Sequence, residues 1–277
     1  MEKLVHSGLP LYLDEENHVM AVSALLKMDG FGRKETGKMT GLLANEEKLP
    51  VDEPFYDVYR GLAFPEDEEL LLKNDFRYDI TIIMPGQVNG ECKKTSGHYH
   101  GWNPARTNTY AEVYEVIKGT ALYVLQKSPD FDTAVPEDLT IEDLILATVH
   151  EGETIIIPPN YGHASINIGD GPLVFSNLAY VPCPVNYDPV RYYHGMSCYI
   201  MKKDGNLTAE FNPHYKNPVP EPKFASVKAN PRLGICFGRP VYQSFKENPE
   251  AFRFLAEPDA YVDEIMSMLE YKEQLVK

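Results

Sequence analysis

Between Tyr78 and Phe211 the chain alternates short apolar runs with turn residues. The runs are YDITIIM (78–84), EVYEVI (112–117), TALYVLQ (120–126), LILATV (144–149), ETIIIP (153–158), ASINI (164–168), LVFSNLAY (173–180) and SCYIMKK (197–203). The breaks are PGQVNGE, KG, HEGE, PPNYG, GDGP and KDGN. Runs of this length, rich in Ile, Val, Tyr and Thr, predict many short strands and so a β-sandwich or barrel. IKGTA and IGDGPL predict hairpin turns, because glycine supplies the positive φ that such turns need.

On either side the pattern changes. Residues 1–75 are mixed: NHVMAVSALLKM predicts a helix, and DGFGRKETGKMTG a turn-rich connection. After about residue 215, NPHYKNPVPEPKF predicts an extended arm. Beyond it, VYQSFKENPEAFRFLAEP and DAYVDEIMSMLEYKEQLVK predict helices, the second with a stripe of Tyr261, Ile265, Met268, Leu269 and Leu275. The expected organisation is an N-terminal extension packed on a barrel (1–75), the β-barrel itself (76–215), and a linker arm with C-terminal helices (216–277). The fold class is mainly β.

Composition removes some function classes. A formal charge of −15 disfavours nucleic acid and anionic membranes, since a polyanion must be met by clustered Lys and Arg. No run approaches the roughly 18 apolar residues of a membrane helix, and the first residues lack the apolar core of a signal peptide. A soluble, cytoplasmic protein is expected. The four cysteines, Cys92, Cys183, Cys198 and Cys236, form no C-x-x-C pair and read as buried thiols in a reducing compartment.

The candidate chemistry lies in TSGHYHGWNPARTNTYAEVYEVIKG (95–119). His98 and His100, at i and i+2, would point to one face of a strand, where a first-row metal can take two imidazoles. Glu112 opens the next strand. Farther on, GETIIIPPNYGHASIN places His163 at the start of another strand after a rigid PP. Three imidazoles and a carboxylate from strand-rich segments suit Fe, Mn, Ni, Co or Zn. Glu115 would point to the opposite face from Glu112. His6, His18, His150, His194 and His214 have no such setting. Thr95 and Gly97 could offer a hydroxyl and an unobstructed N–H to a phosphate, and Thr81 could point into the same cavity.

The intervals around these residues resemble the two cupin motifs. The first runs H-x-H, Glu112, then six residues to Gly119; the second runs Gly152, five residues, Pro158, then His163, three residues, Asn167. Cupins usually place three or four residues between the second His and Glu, whereas this chain has eleven, GWNPARTNTYA. The surrounding text, DITIIMPG, KKTSGHYH, AEVYEVIKG, IPPNYGHASINIGDGPLVF and NPHYK, is similar to the cupin-type glucose-6-phosphate isomerases best known from archaea. The resemblance runs from about Tyr59 to about Lys216. It implies a jelly-roll β-barrel and one divalent metal per chain, Fe first among the candidates, on His98, His100, Glu112 and His163. It also implies a sugar phosphate held by Tyr59, Thr81, Thr95 and Gly97, with Tyr114, Tyr180 and Tyr187 lining the cavity, and a homodimer. Glu112 and Tyr180 are the catalytic candidates.

The implied reaction is aldose–ketose interconversion of glucose 6-phosphate and fructose 6-phosphate. A proton leaves C2 and one is delivered to C1, with Glu112 as the shuttle; a hydride shift between the two carbons is the rival route. Family members carry a His between the counterparts of Tyr180 and Tyr187, where this chain has VPCPVN and Asn186 stands nearest. Another metal-cupin enzyme, such as an isomerase of a different sugar phosphate or a dioxygenase, and a non-catalytic sugar-phosphate sensor are the alternatives.

Overall fold

All eight apolar runs fold as strands, and what they pair with explains where the candidate residues meet. The computed structural model describes residues 1–14, 16–133 and 138–275. Along the chain, β1 (Glu2–Lys3), β2 (Leu11–Asp14) and β3 (Val19–Val22) form a small sheet. Then come β4 (Gly30–Glu35), β5 (Pro54–Arg60), helix α1 (Glu68–Lys73) and β6 (Phe76–Ile83). The short β7 (Gln87–Val88), β8 (Glu91–Cys92) and β9 (Tyr99–His100) lead into β10 (Glu112–Lys118), β11 (Thr120–Lys127) and β12 (Asp143–His150). They are followed by β13 (Thr154–Ile157), β14 (Tyr161–Asn167), β15 (Leu173–Tyr180), β16 (Val185–Asn186) and α2 (Asp188–Tyr192). β17 (Cys198–Lys203), β18 (Asn206–Phe211), β19 (Lys223–Val227), α3 (Val241–Glu247), α4 (Val262–Met266) and β20 (Leu269–Lys272) complete the order.

Two sheets face each other. One has the order β13-β10-β15-β6-β5-β4 and the other β14-β11-β12-β19-β20. Apolar residues between them, among them Ile83, Val116, Tyr123, Leu125, Ile155 and Phe175, fill one end of the barrel. The opposite face of each strand is buried as well. Val113, Ile117, Ile80 and Ile82 pack under Tyr242, Phe245, Phe252 and Phe254 from the C-terminal region. Leu122, Val124, Leu144 and Leu146 pack under Met39, Leu43, Tyr193 and Met196. This double burial is why the runs read as continuous apolar stretches and not as clean alternation.

Several expectations need correction. IKGTA and IGDGPL are not hairpins: β10 and β11 lie in different sheets, as do β14 and β15. Gly119 still has φ +90°, and a Cβ there would meet the Pro172 carbonyl oxygen at 3.1 Å, so the glycine serves a corner between sheets. Local turn chemistry does not say which strand will be the partner. NHVMAVSALLKM contains the strand β3, because Met20 enters the core between sheets rather than a helical stripe. The last predicted helix is helical only over Val262–Met266; Leu269–Lys272 then pairs with β19, and residues 276–277 lie outside the described residues. The borders at 75 and 216 fall within sheets, since β4 and β5 extend one and β19 and β20 the other. No helix among the described residues is long and apolar enough to cross a membrane.

Candidate active site

An isolated antiparallel bridge between His98 and His163 on β14 brings the two histidine motifs together. His98 N–H donates to the His163 carbonyl at 3.1 Å, and His163 N–H returns the bond to the His98 carbonyl at 2.9 Å. Glu112 enters from β10 in the facing sheet. One ligand atom from each of His98, His100, Glu112 and His163 lies within 4.8 Å of all the others. The two Nε2 atoms of His98 and His100 are 3.3 Å apart, and Glu112 Oε2 lies 3.2 Å from His100 Nε2 and 3.6 Å from His163 Nε2. Bonds of about 2.0–2.2 Å from one small ion to imidazole and carboxylate would span such separations.

The neighbours prepare these donors for a cation. His100 Nδ1 lies 2.9 Å from the Tyr110 carbonyl oxygen. A proton on Nδ1 makes that bond, and it turns the Nε2 lone pair toward the cluster. Asn177 Nδ2 donates to Glu112 Oε1 at 2.8 Å, and Tyr114 Oη donates to Oε2 at 2.9 Å. Burial pushes the His98 imidazole well below its ordinary pKa, and the His163 and His100 charges push the same way. Burial lowers His163 too. For His100, burial is outweighed by its hydrogen bond and attraction to Glu112, so its pKa rises. Burial would raise Glu112, but His100 and His163 hold it well below the ordinary carboxylate range. Mostly neutral imidazoles around an ionised carboxylate are the donor set a divalent first-row metal requires, so the residues fit such an ion.

A cavity of about 300 Å³ opens onto the cluster. It is lined by Thr81, Thr95, Gly97, Tyr114, Tyr180 and Tyr187 of the residues expected from sequence. Tyr114 goes further than lining, since its hydroxyl also lies 3.1 Å from His163 Nε2. Gly97 has φ +77°, and a Cβ there would lie 2.8 Å from Met196 Sδ; the turn cannot carry a side chain without shifting. Thr95 Oγ1 accepts the Ser165 N–H at 3.0 Å, which leaves its own proton for the cavity.

Tyr59 does not belong here. Side chains alternate along β5, and Tyr56, Val58 and Arg60 face the cavity. Tyr59 points the other way, packs on Phe31 at 5.0 Å and accepts the Met20 N–H at 3.0 Å. Sequence reasoning missed Tyr56, Arg77, Asp79 and Asn177; only strand parity could have found them. Arg77 forms a forked pair with Asp79 at 2.8–3.0 Å inside the cavity wall. Asn186 pairs with Tyr99 and caps the Asp188 N–H, outside the cavity. Cys183 and Val185 face the cavity in its stead, with Cys183 only partly buried. His194 stacks on His214 at 4.2 Å, away from the site. Glu115 faces outward, where its carboxylate accepts the Val241 N–H at 2.9 Å.

The glucose-6-phosphate isomerase family profile matches residues 33–217. The glucose-6-phosphate isomerase of Thermococcus litoralis is 28% identical over 181 residues, 64% of this chain and 84% of that one. That of Pyrococcus furiosus is 29% identical over 160 residues, 57% of this chain and 73% of that one. Among solved structures, an oxalate oxidase is a distant likeness, at 17% identity and a TM-score of 0.35 over 55% of this chain and 62% of that chain. The chain belongs to the glucose-6-phosphate isomerase family of enzymes.

Proposed function

We propose that this protein interconverts glucose 6-phosphate and fructose 6-phosphate with one divalent metal held by His98, His100, Glu112 and His163. Fe is the first candidate, followed by Mn, Ni, Co and Zn. The observation that carries the reading is the convergence of those four donors, within 4.8 Å, on a cavity of about 300 Å³ rich in hydroxyl groups. When bound, the ion would act as a Lewis acid toward the oxygens on C1 and C2. Glu112 moves the proton. Its Oε2 is shared by Tyr114 and the two histidines, whereas Oε1 accepts only from the Asn177 amide. Oε1 takes the proton from C2 of the open-chain aldose and delivers a proton to C1, while the C2 hydroxyl proton passes to the oxygen on C1, through an enediol whose Glu112 proton can exchange with solvent. Tyr180 lines the cavity beside Tyr110 at 5.2 Å, and helps to shield the reacting carbons from water. Family resemblance adds a cytoplasmic homodimer, which size-exclusion chromatography with light scattering would check.

The deciding assay couples fructose 6-phosphate turnover to a glucose-6-phosphate dehydrogenase, after chelator treatment and reloading with single metals. Activity that vanishes with chelator and returns with one of these ions supports the proposal. Confirmed loading without turnover overturns it. Cys183 and Val185, in place of the family His, favour one second reading, an isomerase of another sugar phosphate, so the assay includes mannose 6-phosphate and pentose 5-phosphates. Release of a C2 deuterium label to solvent is expected for the enediol route; full retention at C1 would indicate the hydride shift.

A further inference from the structure

On β6, Arg77 and Asp79 face the cavity together with Thr81, as alternation along a strand requires. The Asp79 side chain is only 2% exposed, and its carboxylate is held from three sides. Arg77 donates to both its oxygens through Nε and Nη2 at 2.8–3.0 Å, the Gly61 N–H donates to Oδ1 at 2.8 Å, and Arg60 Nη1 stands 3.7 Å from Oδ2. A carboxylate so occupied has little left to offer a ligand, but Arg77 does. Asp79 takes the guanidinium edge formed by Nε and Nη2. The edge formed by Nη1 and the second Nη2 hydrogen makes no hydrogen bond to any described residue, and the side chain is 36% exposed. The clamp fixes the plane of the guanidinium, so this free edge is a donor fork of set direction. The Asp79 hydrogen bond raises the Arg77 pKa against the effect of burial, and the charges of Asp79 and Glu112 raise it further.

The register sets what the fork faces. Val113 pairs with Leu178 and Ala179 with Arg77, so Glu112, Ala179 and Arg77 stand in one row across β10, β15 and β6. All three line the cavity. Two strand spacings separate the backbones of Glu112 and Arg77 by about 9–10 Å, and between them Ala179 raises only a methyl group. The next row, Tyr114, Asn177 and Asp79, supports this one: Tyr114 and Asn177 hold Glu112, and Asp79 holds Arg77. We propose that Arg77 determines specificity at this site: its free fork donates to the C3 hydroxyl of the sugar, the first oxygen beyond the two on C1 and C2, with Asp79 positioning the fork. The proposal rests on the isomerase reading, which puts C1 and C2 at Glu112. Arg77 then reads the configuration at C3, because an epimer turns that oxygen away and leaves the N–H groups without their acceptor.

The test compares fructose 6-phosphate with its C3 epimer, allulose 6-phosphate, on the metal-loaded full-length protein. Wild type is expected to use the epimer at least about 10-fold less efficiently, as for loss of a hydrogen bond from a charged group. Equal use of the two sugars overturns the proposal without any variant. Arg77→Lys keeps a charge for Asp79 but has no fork, and a double variant carrying Arg77→Gln and Asp79→Asn leaves no unpaired carboxylate in the wall. Each, with a thermal melt matching wild type, is expected to lose about 10- to 100-fold in kcat/KM for fructose 6-phosphate and much less for the epimer. The inhibition constant for inorganic phosphate stays as in wild type. Asp79→Asn alone loses part of the preference. Equal losses on both sugars overturn the proposal, and so does an inhibition constant for phosphate that rises in step with KM, since Arg77 would then hold the phosphate. A wild type that turns over no hexose phosphate removes the isomerase reading, yet calorimetric preference for fructose 6-phosphate that is lost in Arg77→Lys would leave the C3 contact standing. Turnover with the same preference in wild type and Arg77→Lys would do the reverse.

Discussion

His98 and His163 meet through reciprocal backbone hydrogen bonds between segments 65 residues apart in sequence, so each imidazole position depends on the other strand. Replacing either by alanine is expected to lower metal content and turnover together. Metal stoichiometry by mass spectrometry checks this, and wild-type loading in both variants would refute the ligand assignment. Asn177 makes a subtler prediction. Its amide fixes Glu112 Oε1, so Asn177→Ala should weaken metal affinity about 10- to 100-fold, as loss of a partner behind a metal ligand usually does. Competition with a fluorescent chelator reads that shift, and unchanged affinity would remove Asn177 from the site. The histidine and glutamate positions were legible in the sequence because fixed spacing on strands sets which faces meet. Asn177 and Tyr56 were not, since no motif spacing marks which faces of β15 and β5 turn toward the cavity. The placement of Tyr59 failed by parity alone: a strand shifted by one residue turns every side chain to the other face.

The insertion between His100 and Glu112 shows how one element steadies another. Asn103 Nδ2, Thr107 Oγ1 and Asn108 Nδ2 all donate to the carboxylate of Asp259, at 2.9, 2.7 and 2.9 Å. The same segment carries the Tyr110 carbonyl that orients His100. A residue from the C-terminal region therefore ties down the segment that links His100 to Glu112. Asp259→Ala is expected to raise amide hydrogen exchange across residues 101–110 at least severalfold and to weaken metal affinity. Unchanged exchange would show that the loop holds itself. Sequence showed the length of this insertion but not its anchor, because nothing local in GWNPARTNTYA specifies a carboxylate some 150 residues away. Likewise the strands were legible from their apolar runs, whereas the corner at Gly119 could be told from a hairpin only by the sheets on either side.

At the scale of the whole molecule, the matched family region, 33–217, is not the whole hydrophobic unit. Phe245, Phe252 and Phe254 are fully buried against the outer face of the six-stranded sheet, and Val241 and Tyr242 join them. Each such side chain contributes about 1.5–3 kcal/mol of burial, so a chain ending at residue 217 is expected to aggregate or unfold; circular dichroism and size-exclusion chromatography would show it. The attachment has one costly point. Glu115 is fully buried beneath this cover, with one carboxylate oxygen on the Val241 N–H and no partner for the other. Burial raises its pKa well above the ordinary carboxylate value, with the Val241 bond only partly opposing. Above the ordinary value of 4.5, the folded protein then holds a proton that the unfolded chain releases. Stability must fall as pH rises from that value toward the folded pKa. Glu115→Gln keeps an oxygen for Val241 and cannot ionise. It should be more stable than wild type near pH 8, because it has no proton whose retention costs the folded state, and show a smaller decline between pH 5 and pH 8. Urea unfolding at both values measures the difference. An equal decline in variant and wild type would mean that Glu115 reaches water as the C-terminal cover breathes, and that the cover is less firmly seated than its aromatic contacts imply.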